Sequence, residues 1–405
     1  MPDASKTTYC IFLRPLCDRQ FSHVADELIY RPGNGSTTSS DALTASARAY
    51  VTAFFEIGLS ALVGNRTLLV PVPEHWVAQP DIMQLPTEKI LVGLPEALGI
   101  DHDTLKNLGQ LHEQGYRLLA DDSLVSRNPD ALLPLLSVVR FRLNNTDNAQ
   151  TLRERIKAYA CAPIELMVDN LETLEQLNHC RELPFSYFQG DFYASVNPVA
   201  NATGHRAGNR AASLRLLREL YLPNPELHRI ESLLIQDPHL CALLFKRANT
   251  ASGERLRRVT KLQQIIMLLG YDKIRALTTT LLLAHNEPVK RFLVFKALVR
   301  ASMARRLASH ASGVDPDTAL TAGLFSMMDQ IEGIPLDTLV TETRLDPELE
   351  QALLQHQGEL GKILRIIFAF ENARFDRDTA GSLDQLNGDY LASVAWAQEI
   401  MAIAD

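Results

Sequence analysis

With 405 residues, 46% of them hydrophobic and 22% charged, the chain has the composition of a globular protein of two ordinary domains. A net charge of −8 argues against whole-protein affinity for nucleic acid or anionic lipid. Five scattered cysteines without a C-x-x-C pair argue against a disulfide frame. Reduced thiols, no apolar run of about 18 residues and no basic-then-apolar leader order together set the expectation of a cytoplasmic protein with no membrane partner.

Thr8–Pro15 reads as a strand, and the turn Cys17-Asp18-Arg19-Gln20 leads to a second, His23–Arg31. No helix fits between them, so the pair is a hairpin. Asp41–Gly64 then shows helical periodicity through Ala49, Ala53, Ile57 and Ala61. Short apolar strands follow at Thr67–Val72, Lys89–Leu94, Arg117–Ala120, Val138–Leu143, Ile164–Val168 and Tyr187–Tyr193. Helical tracts lie between them, at Asp103–Gln114, Asn128–Leu136, Asn148–Ala160 and Leu171–Arg181. With the hairpin the strands number about eight, which predicts a non-standard (β/α) barrel rather than an open sheet.

In such a barrel the polar groups at the C-terminal strand ends converge on one mouth. Here those are Asp121, Asp122, Arg140, Arg142, Asp169 and Gln189, with Glu27 inside the second strand. Several carboxylates around one mouth are what a two-metal phosphodiesterase needs to activate water and clamp a phosphate. Across roughly residues 8–197 the chain resembles the EAL family of cyclic di-GMP phosphodiesterases. The signature glutamate matches Glu27, the paired aspartates Asp121-Asp122, the acidic stretch Asp169-Asn170-Leu171-Glu172, and the QG tail Gln189-Gly190. The departures are as informative. Val70 and Pro71 stand where a metal-binding asparagine is expected, and Gly93 where a glutamate is, with Glu96 kept nearby. Arg140 replaces the expected lysine and Arg142 an aspartate.

That donor set holds two divalent cations poorly, so the expectation is a degenerate EAL barrel, not an enzyme, with no metal and no cofactor. Arg140 and Arg142 share a strand face, and a guanidinium there can sit where a cation would and pair with Asp121 or Asp122. A retained metal centre, an inert polar plug and nucleotide binding without turnover are the three readings of the remnant site.

Asn197–Arg210 is small and polar and reads as a linker. The expected boundaries are a barrel domain over 1–197, a linker over 198–210 and an all-helical domain over 211–405. Helical patterns run over Leu214–Tyr221, Pro225–Leu234, Pro238–Ala248, Lys261–Leu269, Asp272–Leu283, Pro288–His310, Pro316–Ile331, Pro347–His356, Leu360–Asn372 and Gly388–Ala404. Asp237-Pro238 is a helix start, Thr260 with Gln263 a capping-box start, and Gly270 a helix stop. Asp237, Pro238, Leu240, Leu244, Ala248, Asn249, Leu269 and Gly270 resemble the motif of the HDOD domain, with Phe245 in place of a leucine.

The HDOD fold is similar to that of HD hydrolases, which use a His-Asp pair; Ser326 and Met327 occupy that place here, and Asp329 comes two residues late. No H-x-x-x-H or H-x-x-E-H pair exists, so His285 and His310 read as ordinary residues. Lys246, Arg247, Arg255, Arg257, Arg258 and Lys261 form a basic cluster, a candidate partner patch or simply a solvated face. It lacks the aromatic interleaving that stacks single-stranded bases, so nucleic acid is not the expected partner.

The order of the two halves resembles the YuxH-like family of bacterial EAL–HDOD proteins. The resemblance implies a non-catalytic regulator or scaffold that acts by protein contact, linked to cyclic di-GMP or motility control, with a homodimer open. The alternatives are a cyclic di-GMP receptor without turnover and a weak phosphodiesterase acting through Glu27, Asp121, Asp122 and Glu96.

Overall fold

Eight strands close on themselves in chain order: β1 (Tyr9–Cys17), β2 (His23–Pro32), β3 (Thr67–Pro71), β4 (Ile90–Gly93), β5 (Arg117–Asp121), β6 (Val138–Arg142), β7 (Glu165–Leu171) and β8 (Tyr187–Gly190). This computed structural model describes residues 9–32, 50, 54, 57–82, 85–144, 149–193, 210–220, 222, 224–251, 259–282, 290–333, 335–343, 345–374 and 383–402. Strands β2 to β8 pair in parallel, whereas β1 pairs antiparallel with β8, Leu16 opposite Gln189. The hairpin read from the sequence is therefore what reverses β1 against the other seven. Asp18 shapes its turn by accepting the N–H groups of Gln20 and Ser22 at 2.8 Å each.

The period-2 alternation of strands sorts the barrel interior into layers. Leu16, Ala25, Leu69, Leu91, Leu119, Val138 and Met167 form one apolar layer, with Tyr187 packed against it. The intervening residues Leu68, Ile90, Leu118, Val139 and Phe141 face outwards and are also fully buried. Burial on both faces is why these strands read as continuous apolar runs rather than as alternating ones.

The described helices of this half are α1 (Leu59–Val63), α2 (Glu74–Ala78), α3 (His102–Glu113), α4 (Asp122–Val125), α5 (Pro129–Leu132), α6 (Ala149–Lys157) and α7 (Leu174–Arg181). Several tracts are shorter than the sequence pattern suggests. Residues 128–136 split into α5 and a 3-10 turn at Leu133–Leu135, because Pro134 lacks the N–H that would continue the helix. Leu171 ends β7, and α7 starts only after Thr173, which forms a capping box with Gln176. Of the periodicity over 41–64, residues 41–49, 51–53, 55 and 56 lie outside the described set.

The chain forms two compact units; residues 11–31 and 36–195 make up one, and residues 196–405 most of the other. The second holds helices α8 (Arg210–Leu220), α9 (Leu227–Leu234), α10 (Pro238–Ala251), α11 (Leu262–Leu282), α12 (Lys290–His310), α13 (Pro316–Phe325), α14 (Met328–Glu332), α15 (Leu336–Thr343), α16 (Pro347–Gln355), α17 (Gly358–Glu371) and α18 (Leu383–Ala402). Gly270 breaks α11 with φ 73° and ψ 162°, the stop the sequence predicts. The tract 316–331 is two helices, parted at Ser326 and Met327, and α15 was not legible as periodicity. Among the described residues no helix is long and apolar enough to cross a membrane.

Candidate functional site

Moving two residues along each strand from the apolar layer gives the next inward layer: Arg14, Glu27, Pro71, Gly93, Asp121, Arg140, Asp169 and Gln189. The register supports this stacking, since Asp121 lies opposite Arg140, and Arg142, one layer higher, opposite Asp169. Of the residues singled out in the sequence, Glu27, Asp121, Arg140, Asp169 and Gln189 are all buried at one end of the barrel. A cavity of about 510 Å³ opens there, lined among others by Arg14, Glu27, Tyr30, Arg140, Arg142 and Asp169.

Arg140 is the centre of this layer. Its Nε donates to Asp121 Oδ1 at 2.5 Å, its Nη2 to Asp121 Oδ2 at 3.3 Å and its Nη1 to Glu27 Oε1 at 2.8 Å. The planar guanidinium thereby grips one carboxylate with a fork and a second with its remaining nitrogen. Burial alone would lower the pKa of Arg140; its hydrogen bond to Asp121 and the charge of Glu27 outweigh it and raise the net value. Arg142 reaches Asp121 at 3.1 Å and Glu96 at 3.5 Å. Arg14 pairs with Asp169 and lies 3.9 Å from Glu27. Burial lowers its pKa, only partly offset by Glu27.

Three predicted site residues stand apart from this cluster. Asp121 and Asp122 are adjacent, so their side chains take opposite directions. Asp122 opens α4 and is held by Arg155 at 2.7 Å and by the Tyr159 hydroxyl at 2.5 Å, outside the mouth. Glu172 is exposed beyond β7, with its N–H donating to Gln176. Glu96 is exposed too; its carboxylate meets Arg142 and the Ser123 hydroxyl, and its backbone carbonyl accepts from Arg127.

Arg14 escaped the sequence reading. Its signal was available: β1 runs backwards, so the mouth-facing residue lies two positions before the inward Leu16 rather than two after it. Gly190 is needed for the fold of the mouth. With φ 149°, a Cβ there would stand 2.1 Å from Leu171 O and 2.4 Å from Leu171 N, at the register shift between β7 and β8.

This arrangement does not fit a pair of divalent cations. Each mouth carboxylate already has a guanidinium, and Pro71 and Gly93 supply no donor side chain. A Cβ on Gly93 would meet Leu69 Cδ1 at 3.2 Å, so a longer side chain there requires Leu69 to give way. Among the described residues no three His, Cys, Asp or Glu are grouped so as to hold an ion. A second cavity, of about 410 Å³, lies at the opposite end of the barrel beside Arg117, Glu165 and Tyr187. Arg117 and the Tyr187 hydroxyl both donate to Glu165 there, at 2.8 and 3.0 Å, at the end of such barrels associated with stability.

In the helical half the motif residues do structural work. Asp237 caps α10 by accepting Leu240 N–H at 3.0 Å, and its other oxygen accepts the Ser213 hydroxyl of α8 at 3.0 Å. Asn249 Oδ1 accepts Val259 N–H at 2.8 Å. Thr260 N–H donates to Gln264 at 3.4 Å, so the reciprocal glutamine is Gln264 and not Gln263, which instead bonds Glu231. The helical half contains an HDOD domain. Its family model matches residues 211–367.

Ser326, where the sequence resemblance looks for a His-Asp pair, is instead held by a buried arginine from another helix. Arg300 of α12 forks onto Glu371 at 3.0 and 2.7 Å, and its third nitrogen reaches the Ser326 carbonyl and hydroxyl at 3.1 and 3.0 Å. Gly323 makes the approach possible: a Cβ there would lie 2.6 Å from Ala301 Cα and 2.8 Å from Arg300 O. Of the basic patch, Lys246 is half-buried, Arg247 exposed and Lys261 paired with Asp315 at 2.7 Å. Arg255, Arg257 and Arg258 lie outside the described residues, as does His285.

Over nearly its whole length the chain is similar to two curated proteins. It is 23% identical over 411 residues to a protein named cyclic di-GMP phosphodiesterase CdgJ, from Vibrio cholerae, covering 98% of this chain and 94% of that one. It is 24% identical to YuxH of Bacillus subtilis, an uncharacterised protein, covering 96% and 98%. Solved structures similar to its N-terminal part include an EAL-domain protein from Listeria monocytogenes, with a TM-score of 0.38 and 19% identity over 46% of this chain and 87% of that one. Another is the FimX EAL domain from Pseudomonas aeruginosa, with a TM-score of 0.36 and 18% identity over 46% and 89%. The expectation that the chain is not an enzyme is overturned by the first of these relatives, which is named for a phosphodiesterase activity. The reason it misled is physical: missing donors were weighed residue by residue, and a count of donors says nothing about what a whole related chain does.

Proposed function

We propose that the protein acts in cyclic di-GMP signalling, taking the dinucleotide at the barrel mouth, with the HDOD domain as the part that contacts a protein partner. The observation that carries this reading is the mouth cavity itself. Its volume of about 510 Å³ is within the range of small-molecule sites, and its rim carries the guanidiniums of Arg14 and Arg142. Guanidiniums recognise phosphate oxygens bidentately. The full-length similarity to a protein named as a cyclic di-GMP phosphodiesterase supports the choice of ligand.

Turnover of the bound dinucleotide is a second reading, favoured by that same name. One experiment addresses both. Equilibrium dialysis of the full chain with labelled cyclic di-GMP reports retention, and chromatography of the same samples reports any linear dinucleotide. Retention that cyclic di-GMP competes and GTP does not is the expected result. Absence of retention would remove the mouth as a nucleotide site.

A further inference from the structure

We propose that Arg140 takes the place of cations at the barrel mouth, so that the mouth receives a phosphodiester anion on Arg14 and Arg142 without a divalent cation. This deepens the reading above and rests on it.

The mouth contains two kinds of arginine. Arg140 is committed: its side chain is 8% exposed and all three nitrogens are spent on Glu27 and Asp121. Arg14 and Arg142 are not, with side chains 30% and 49% exposed on the cavity rim. The Nε of Arg14 is buried without a hydrogen-bond partner, and so is Oε1 of Gln189, which is itself fully buried in the same layer. Most buried polar atoms have a hydrogen-bond partner, so two left without one beside a cavity are open to a ligand.

The carboxylates tolerate the loss of the rim arginines to a ligand. If Arg142 turns to a phosphate, Asp121 keeps the Arg140 fork. If Arg14 turns, Asp169 keeps the N–H of Asn170, at 2.5 Å. Three guanidiniums against Glu27, Asp121 and Asp169 leave the inner mouth neutral. Two divalent cations would add four positive charges beside those three, whereas a phosphodiester adds the opposite sign to a rim that can receive it.

The test is calorimetric titration of the full chain with cyclic di-GMP, once in EDTA and once in millimolar Mg²⁺ or Mn²⁺. The expected result is the same Kd in both, within about twofold, and a loss of about tenfold or more on combining Arg14→Ala with Arg142→Ala. A Kd at least about tenfold tighter with the cation would overturn the inference and leave the mouth as a nucleotide site. So would full affinity in the double variant. No binding in either buffer would remove the nucleotide reading as well. Titration with Mn²⁺ alone gives an independent arm. Wild-type protein should take up none at the mouth, and Arg140→Gln, which frees two buried carboxylates, should gain uptake; uptake by wild type that Arg140→Gln leaves unchanged would contradict the role given to Arg140.

Discussion

Arg140 in the barrel and Arg300 in the HDOD domain are matched in chemistry and opposed in setting. Each is a buried guanidinium that forks onto one carboxylate and spends its third nitrogen on a second acceptor. Around Arg140 the next layer is a cavity rimmed by half-free arginines. Over Arg300 the next layer is the Phe368 ring, 4.8 Å away. The same group therefore serves as the floor of a site in one half and as a brace between α12, α13 and α17 in the other. What surrounds a buried ion pair, more than the pair itself, decides whether it can serve a ligand.

Breaking the two arginines separately should expose that difference. Arg140→Ala leaves Asp121 only the half-exposed Arg142 and Glu27 only Arg14 at 3.9 Å, and should cost about 3–5 kcal/mol by denaturant unfolding, the usual cost of breaking a buried pair. Added Mn²⁺ should return part of that loss, because the freed Glu27 lines a cavity. Arg300→Ala should cost about 3 kcal/mol, less because Glu371 is part-exposed, and Mn²⁺ should return nothing. Equal rescue, or none in either variant, would dissolve the distinction.

A smaller effect probes the geometry that brings Arg300 to Ser326. Gly323→Ala drives a Cβ into the α12 backbone and should destabilise by about 1–3 kcal/mol, seen as a lower Tm. A neutral outcome would mean that α12 and α13 can part without loss.

Acid should act on the brace as well. Burial pushes the Glu371 pKa up, but the charge and hydrogen bond of Arg300 outweigh it and hold the net value below that of an ordinary glutamate. A depressed folded value means the pair's stability is complete above the unfolded pKa of about 4.3 and is lost as pH falls through the folded value. Unfolding followed from pH 6 to pH 3, about the range over which glutamates titrate, should show this loss in wild type and less of it in Glu371→Gln. Smallest of all, Glu96→Ala removes only exposed contacts, to Arg142 at 3.5 Å and to the Ser123 hydroxyl at 2.9 Å, and should change stability by less than about 0.5 kcal/mol.

Much of the barrel was legible because its strands are buried on both faces and read as short apolar runs, whereas the caps at Asp101 and Thr173, which set where two of its helices begin, were not read. The inward set Glu27, Asp121, Arg140 and Asp169 followed from strand ends and period 2. Arg14 did not, since a reversed strand inverts the rule that locates the mouth. Asp122 was placed with its neighbour because a tandem pair in sequence is one residue too close to share a strand face. Arg300 and Glu371 lie 71 positions apart, and no periodicity links a buried arginine to its partner on another helix. The HDOD motif was legible because its Asp237 and Asn249 bond backbone nearby, as local motifs do.

A crystal structure of the full chain with cyclic di-GMP, grown in millimolar Mg²⁺ or Mn²⁺, asks the most direct question. Phosphate oxygens on Arg14 and Arg142, with Arg140 still bonded to Glu27 and Asp121, is the expected arrangement. Two divalent ions between Glu27 and Asp121, with Arg140 swung aside, would contradict it.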